Sequence, residues 1–321
     1  MAGASIGVLH DRAELLCNGR MRRVAFEELR GRVETVLMGL GMQPERAALS
    51  ARLTAETDRD GVKTHGIARL PRFAQMVKLG AVDVLAEPEC VAQFGALERW
   101  RGHLGPGNLA AYAAMNRAMQ LARDNGIGAV ALGESTHWMR AGAFGWQAAE
   151  AGLAAMCWSN TLPNLPPWGA KTPALGNNPL VIAVPRGEAP LVLDMAMSQF
   201  SYGSLESYRK RGKALPVPGG FDEAGELTTD AGAIETTQRA LPVGFWKGSG
   251  LALVLDVLGA MLAGGKATYQ FERDALKEVG QSQVFIAVAP TAVGAVEEME
   301  ALAEGAIAAV HAAEPVEAGK R

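Results

Sequence analysis

The chain has 321 residues, enough for two or three compact units, and its composition of 49% hydrophobic and 20% charged residues is that of a globular protein. A net charge of −3 without a basic run excludes a nucleic-acid binder that relies on a positive surface. We find no metal-type cysteine pairing, no secretory signal and no apolar run near the roughly 20 residues of a membrane span, so we expect no metal, no membrane and a cytoplasmic location.

Helical periodicity recurs along the chain. Residues 1–20 lack periodic apolar residues, which predicts either a loose arm or a functional start at Met21. Pro44 stands near the first position of the second predicted helix, where proline is favoured. Helices are predicted over residues 26–37, 45–55, 109–124, 142–151, 250–262 and 296–313.

Short apolar runs between the helices predict strands. These runs cover residues 127–132, 153–158, 180–184, 191–193 and 284–288. Strands interleaved with helices indicate an α/β fold in layers. The helix over 250–262 is apolar on every side and is expected to be buried nearly all round, whereas the Gly/Pro-rich residues 206–240 predict a long excursion over the surface.

No nucleotide-binding loop of a common type is present. The turn G-x-G-x-x-G follows none of the predicted strands, and the phosphate loop is absent because Gly265-Lys266 is followed by Ala267. The common Rossmann fold is therefore not predicted. A nicotinamide cofactor would have to bind in another way.

His65 and Arg69 are the candidate catalytic pair. An imidazole exchanges protons near neutrality, and a guanidinium four residues later can bind a carboxylate through two hydrogen bonds. On one helical turn the two groups would share a face, grip a 2-oxo acid and protonate its carbonyl. From the spacing alone, a half-buried histidine beside a surface arginine is the commoner arrangement, and both interpretations stay open.

Polar and aromatic residues also follow two predicted strands, where α/β sheets bind ligands. The residues after the first strand are His137, Trp138, Met139 and Arg140. Catalytic, substrate-packing and structural roles are open for them. After the second strand, the amide of Asn160 can bind a carboxamide or a ribose, and Trp168 stands in a proline-rich turn that a purely structural role explains equally well.

Two later positions are candidates for the support of catalysis and for phosphate binding. Asp194 closes an apolar strand and can stabilise an imidazolium, although Asp at such a boundary is more often a helix N-cap. Trp246 and Lys247 open a glycine-containing helix entry, whose backbone N–H groups suit a pyrophosphate. A glycine-rich helix entry also occurs for close packing alone.

Six segments resemble the malate/L-lactate dehydrogenase family, whose members lack the common Rossmann fold. They are His137-Trp-Met-Arg-Ala-Gly-Ala-Phe-Gly-Trp-Gln-Ala-Ala-Glu150, Cys157-Trp-Ser-Asn160, Pro166-Pro-Trp-Gly-Ala-Lys171, Gly176-Asn-Asn-Pro179, Asp194-Met-Ala-Met-Ser-Gln-Phe-Ser-Tyr-Gly203 and Gly244-Phe-Trp-Lys-Gly-Ser-Gly-Leu251. The resemblance extends from about Met21 to the end of the sequence. Segments this long identify the chain as a member of that family.

The resemblance implies a homodimer that uses NADH, less often NADPH. It implies a three-layer α/β lobe with a mixed sheet, of the L-sulfolactate dehydrogenase type, and a helical lobe from both termini. The expected domains are a helical, substrate-side lobe over 21–125 with 296–321 and a cofactor-binding lobe over 126–295.

The resemblance also implies roles for single residues. His65 would be the acid, and Arg69 the arginine that follows it four residues later. Asp194 is the third catalytic candidate because of its place at the end of an apolar strand. Cofactor-binding residues would be Pro190, Leu191, Val192, Leu193, Asp194, Met195, Ala196, Trp246 and Lys247. From residue type and position after strands, Asn160 is a further cofactor candidate, and the substrate-side candidates are His137, Trp138, Met139, Arg140 and Trp168. Thr64 stands where the family usually has Ser, and relatives continue past Arg321 into a segment that contacts the cofactor, so we expect that contact to be missing.

The hypothesis is reduction of a small 2-oxo acid to the 2-hydroxy acid, with His65 as proton donor. Alternatives within the family are a malate, lactate or ureidoglycolate dehydrogenase and a reductase of cyclic imino acids. An inactive, cofactor-binding regulatory protein is the alternative of a different class. The sequence decides neither the 2-oxo acid nor NADH against NADPH.

Overall fold

The computed structural model describes residues 12–17, 20–187 and 189–315. The helices in this part of the chain are α1 (Phe26–Gly39), α2 (Pro44–Arg59), α3 (Leu70–Lys78), α4 (Gly107–Asn125), α5 (Gly142–Ala149), α6 (Tyr202–Lys210), α7 (Ala231–Thr237), α8 (Trp246–Ala263) and α9 (Val296–Ala312). The strands are β1 (Arg12–Cys17), β2 (Arg20–Ala25), β3 (Glu89–Phe94), β4 (Leu97–Arg101), β5 (Ile127–Thr136), β6 (Ala154–Ser159), β7 (Pro163–Leu165), β8 (Leu175–Gly176), β9 (Leu180–Val184), β10 (Leu191–Met195), β11 (Gly220–Phe221), β12 (Leu227–Thr228) and β13 (Val279–Val288).

A seven-stranded mixed sheet forms the centre, in the order β10-β9-β6-β13-β5-β4-β3. Neighbouring strands are antiparallel except β4 and β5, which are parallel. The middle strands carry unbroken apolar runs because helices cover both of their faces. In β5, for example, Val130 and Leu132 pack into one core cluster and Ala131 into the other.

Helices make the outer layers. α4 and α5 pack on one face of the sheet, and α8 packs on the other. The approach of α4 to β5 is close: a Cβ at Gly128 would lie 2.3 Å from the carbonyl oxygen of Ala118, so only glycine fits there. The predicted three-layer α/β fold with a mixed sheet is confirmed.

The N-terminal helices have a core of their own. Leu29, Val33 and Leu37 recur every four residues on α1 and face the buried alanines of α2. This spacing is what predicted both helices from the sequence, and the observed helices extend the expected ranges by a few residues. The same cluster reaches α3 and the residues that precede it, which carry His65 and Arg69.

The ends of the chain differ from the predicted domains. Residues 12–17 pair with β2 in an antiparallel hairpin where a loose arm was expected, and the other residues before 20 lie outside the described part. β3 and β4 join the central sheet instead of the helical lobe. The sequence did not predict these strands because β3 is exposed along its whole length and β4 carries the adjacent charged residues Glu98 and Arg99. The ion pair of Arg186 with Glu304 (2.6 Å) ties α9 to the turn between β9 and β10, away from α1–α3.

Helix α8 corrects one prediction. It was expected to be buried nearly all round, but Leu253, Val254 and Met261 are 51%, 59% and 69% exposed. The small residues on its other side, such as Ala252 and Gly259, let it lie close to the sheet and leave the large side chains outside. α8 is also long and apolar enough to cross a membrane, by length and composition alone. A third of its residues are buried in the structure.

Residues 206–240 are also more integrated than expected. Leu215 and Ile234 from this segment are buried in the same core cluster as Trp158 and Leu205, on the α8 side of the sheet. The Gly/Pro-rich composition comes from the short hairpin of β11 and β12 and its turns. The segment is a folded cap over one face of the sheet, and it forms part of a cavity wall.

Candidate functional site

A cavity of about 690 Å³ lies between the residues that precede α3, the ends of β5 and β6, and residues 194–204. It collects side chains that are far apart in sequence. His65, Arg69, His137, Asp194, Asn164 and Gln281 are among its lining residues. The candidate residues from three separate sequence motifs therefore meet at one place.

The His65 loop is fixed by a buried carboxylate. Asp58, at the end of α2, accepts a hydrogen bond from the backbone N–H of Ile67 at 2.5 Å. A Cβ at Gly66 would lie 2.0 Å from the Oδ2 atom of Asp58, so this contact requires glycine. Ile67 opens a 3₁₀ turn that ends at Arg69, which places His65 and Arg69 on the same cavity wall.

His137 is fixed by the turn that follows β5. Its Nδ1 atom accepts a hydrogen bond from the backbone N–H of Met139 at 3.0 Å, and Met139 has a positive φ of 65°. Because Nδ1 accepts, the proton of neutral His137 sits on Nε2. The ring lies beside that of His65, with centroids 6.1 Å apart and planes inclined by 28°.

Both imidazoles lie in a positive field. Burial, then the charges of Arg69 and Arg140, lower the pKa of His65 to about 4. Burial, then Arg69, His65 and Arg72, lower the pKa of His137 well below its ordinary value. Both rings are therefore neutral at pH 7 before a ligand binds. Thr64 Oγ1 lies 2.8 Å from His65 Nδ1, and no described residue bonds Nε2, which can therefore face a ligand.

The two arginines of this wall differ in their partners. Arg72 donates to Oε2 of the buried Glu278 at 3.0 Å and to the carbonyl oxygen of Ala275. Arg69 has no hydrogen-bond acceptor among the residues that the structure describes. Burial, then the charge of Arg72, lower the pKa of Arg69, and Glu278 offsets part of that effect. A guanidinium that is desolvated and has free donors is suited to bind a carboxylate.

Asp194 lines the cavity but has a different partner from the one expected. Its Oδ2 atom accepts a hydrogen bond from the backbone N–H of Gly142, at the start of α5, at 2.8 Å. The hydrogen-bond partner of His65 is Thr64 and not Asp194. Desolvation raises the pKa of Asp194, while the Gly142 N–H and Arg140 oppose that effect. Asp194 therefore joins β10 to α5 at the cavity edge.

The substrate-side candidates separate into two groups. Met139 and Arg140 line the cavity, and Arg140 is held by Asp60 at 2.5 Å. Trp138 touches the cavity but packs its ring against Phe144 and Phe285 in the core. Trp168 is not among the lining residues; its ring contacts Phe245, with centroids 4.9 Å apart, beside the start of α8.

The cofactor candidates separate as well. Met195 and Ala196 line the cavity, and Pro190, Leu191, Val192 and Leu193 lead to it along the edge strand β10. Trp246 and Lys247 begin α8 on the surface, three residues after the lining residue Val243. Asn160 does not line the cavity, because its amide bonds Asp256, the carbonyl of Lys266 and the N–H of Ser282.

Sequence reasoning missed Glu278, Gln281 and Asn164, which also line the cavity. Gln281 lies in a β-bulge, since the register of β13 against β5 shifts on both sides of it. The polar run Gly280-Gln-Ser-Gln283 just before an apolar strand was the available signal. Polar side chains inside a buried strand need partners, and of the three in this run only Gln281 lines the cavity.

The fold and the site define a class of protein: a dehydrogenase of small molecules with a mixed, non-Rossmann sheet. The model of the malate/L-lactate dehydrogenase family matches residues 24–321. The chain belongs to the malate/L-lactate dehydrogenase family and is an oxidoreductase, as the six sequence segments predicted.

Two kinds of relative agree with this assignment. The chain is 45% identical to the 2,3-diketo-L-gulonate reductase of Escherichia coli over 266 residues, which are 83% of this chain and 80% of the relative. The sulfolactate dehydrogenase of Methanocaldococcus jannaschii matches with a TM-score of 0.84 and 27% identity over 92% of this chain and 86% of that one. The delta1-piperideine-2-carboxylate reductase of Pseudomonas syringae matches with a TM-score of 0.83 and 28% identity over 92% and 90%.

Proposed function

We propose that the protein reduces the C2 carbonyl of a 2-oxo acid to the alcohol, with 2,3-diketo-L-gulonate as substrate and NADH, less often NADPH, as cofactor. The observation that carries the proposal is the wall shared by His65 and Arg69, in which the guanidinium has free donors and the imidazole has a free Nε2. The substrate is inferred from the relative of 45% identity. We propose the cytoplasm as its location.

Arg69 binds the carboxylate of the substrate, and its two parallel donors fix the orientation of the carbonyl. The negative charge that arrives beside Arg69 offsets the field that lowers the pKa of His65. His65 then takes up a proton on binding and donates it from Nε2 to the carbonyl oxygen. Neutral His137, with its proton on Nε2, donates a hydrogen bond into the same site.

A nicotinamide cofactor supplies the hydride when it is bound. The residues present fit this group, since a cavity of about 690 Å³ is larger than a small 2-oxo acid needs. Met195 and Ala196 on one side and Val243 on the other would hold the nicotinamide portion. Trp246, Lys247 and the first N–H groups of α8 would bind the phosphates.

The homodimer belongs to this proposal. α8 presents an apolar face that includes Leu253, Val254 and Met261, and a second copy of the chain is the occupant that the family resemblance implies. Light scattering should show a dimer that Val254→Glu converts to a monomer. Leu302→Glu on α9, which replaces another exposed leucine, is the matched control and should remain dimeric. A monomer in the unaltered protein would contradict the assembly.

The reaction is tested by mixing the protein with NADH or NADPH and following the dihydronicotinamide absorbance with a panel of acids. We expect oxidation of the cofactor with 2,3-diketo-L-gulonate. A preference for oxaloacetate, pyruvate or a cyclic imino acid would move the assignment to another activity within the family. Cofactor binding without turnover of any acid would favour an inactive regulatory binder and overturn the proposal.

A further inference from the structure

Three side-chain atoms in the cavity wall are buried and have no hydrogen-bond partner. They are the amide oxygens of Gln281 and Asn164 and the Nε atom of Arg140. The described part of the chain has three further side-chain atoms of this kind, and none of their residues lines the cavity. Gln281 as a whole is 1% exposed. Since an unpaired buried polar atom destabilises a fold, three such atoms on residues that line one cavity indicate a bound partner.

The backbone places Gln281 there. The bulge in β13 puts Gln281 opposite Ser135, out of the regular register with β5. Two residues further on, Gln283 is fully buried and both ends of its amide are bonded, since the nitrogen donates to the carbonyl of Thr136 and the oxygen accepts from Ser135 Oγ. The same residue type on the same strand is therefore satisfied at one position and left without a partner where it lines the cavity. The terminal torsion of glutamine is broad, so a small rotation of the amide can turn its oxygen toward a ligand.

The chemistry of these atoms selects a class of ligand. Two acceptors and one donor are complemented by hydroxyl groups, which both donate and accept hydrogen bonds. Pyruvate carries no such group, and a second carboxylate, as in oxaloacetate, would face two acceptor oxygens. We infer that Gln281, with Asn164 and Arg140, forms a subsite for hydroxyl groups on the chain of the substrate and selects polyhydroxylated 2-oxo acids.

This inference rests on the proposed function and names the residues that determine its substrate class. Gln281→Met keeps the length of the side chain and removes the acceptor. We expect it to lower kcat/KM for 2,3-diketo-L-gulonate about tenfold relative to kcat/KM for pyruvate, which is the worth of one hydrogen bond. Its Tm should not fall, because the acceptor has no partner in the free protein.

Gln283→Met is the matched control. It breaks two hydrogen bonds away from the cavity, so it should lower Tm and leave the ratio of the two kcat/KM values unchanged.

The Kd for NADH shows whether Gln281 binds the substrate or the cofactor, since both carry groups that can donate a hydrogen bond to its amide oxygen. A Gln281→Met variant with an increased Kd for NADH and an unchanged substrate ratio would assign the amide to the ribose or carboxamide of the cofactor and overturn the inference.

A thermal-shift measurement keeps the test independent of turnover. L-gulonate should raise the Tm of the unaltered protein more than lactate does at equal concentration, and Gln281→Met should remove the difference. Failure of turnover with every acid, with this difference present, would refute the proposed reaction and keep the subsite. Equal shifts with both ligands would refute the subsite, whatever the turnover.

Discussion

The imidazoles of His65 and His137 lie 6.1 Å apart, nearly parallel, and each is kept neutral by burial and by arginines. Arg69 and Arg140 line the same cavity as the two rings. Burial is the largest cause of the lowered pKa of His65, and the positive charge of Arg69 adds to it. The charge that would bind an anionic substrate therefore also helps to keep His65 neutral before the substrate arrives. We therefore expect binding of the acid and protonation of His65 to be coupled.

Proton uptake on ligand binding is the first prediction. A 2-oxo acid analogue that cannot be reduced, such as oxamate, should raise the pKa of His65 from about 4 and take up a proton as it binds near pH 6. Calorimetry in two buffers of different ionisation enthalpy measures the uptake. His65→Gln should bind the analogue without that proton, and equal uptake in both proteins would assign the proton to another group.

The stability of the protein should depend on pH in a defined window. The pKa of His65 is about 4 in the folded chain and about 6.5 in the unfolded chain, so the unfolded chain binds more protons between these values. The free energy of unfolding should therefore rise as pH increases from about 4 to 6.5, and should be lost as pH falls through that range. Urea unfolding at a series of pH values should show a smaller slope in His65→Gln. An unchanged slope would contradict the lowered pKa.

Arg69 should act on catalysis and Arg72 on stability. Lysine cannot form the two parallel hydrogen bonds that a guanidinium makes with a carboxylate, so Arg69→Lys should lower kcat/KM roughly 10- to 100-fold. Its Tm should change little, because no described residue accepts a hydrogen bond from Arg69. Arg72 is bonded to Glu278, 5% exposed, and to Ala275. Arg72→Lys should therefore lower Tm. Steady-state kinetics and thermal unfolding of both variants make the comparison, and a reversed pattern would refute the assigned roles.

Gly66 should tolerate no side chain. The Cβ of Gly66→Ala would overlap the Asp58 carboxylate, so the loop must move and carry His65 with it. We expect a loss of kcat of at least about tenfold, because a displacement near 1 Å at a catalytic group has effects of this order or larger. Gly31→Ala on α1, where a Cβ meets nothing within 4 Å, is the control and should keep its activity. Normal turnover in Gly66→Ala would contradict the positioning role of Asp58.

The sequence predicted the elements with regular periodicity and the motifs that lie close together in the chain. α1, α2 and the pair His65 and Arg69 belong to this group. The sequence could not predict which face of α8 meets the sheet, because α8 is apolar on every side. The face that packs on the sheet is the one with small residues such as Ala252 and Gly259, which allow a close approach.

Long-range partners were the second limit. Glu278 and Gln281 reach the cavity from β13 and the residues just before it, over 200 residues after His65 in the chain, and no local pattern joins them. Asn160 illustrates the opposite case. Its side-chain amide is of a type that can bind a cofactor, but in the fold it is already hydrogen-bonded to Asp256 and Ser282. Chemical type alone therefore identifies a candidate, and only the tertiary structure shows whether its donors are free.

The turnover of His65→Gln with NADH and 2,3-diketo-L-gulonate tests the central claim most directly. Loss of a positioned proton donor should lower kcat by on the order of 10² to 10⁴. The Kd for NADH, measured by fluorescence on the same variant, should stay that of the unaltered protein. A variant that turns over at a near-normal rate would show that His65 is not the proton donor.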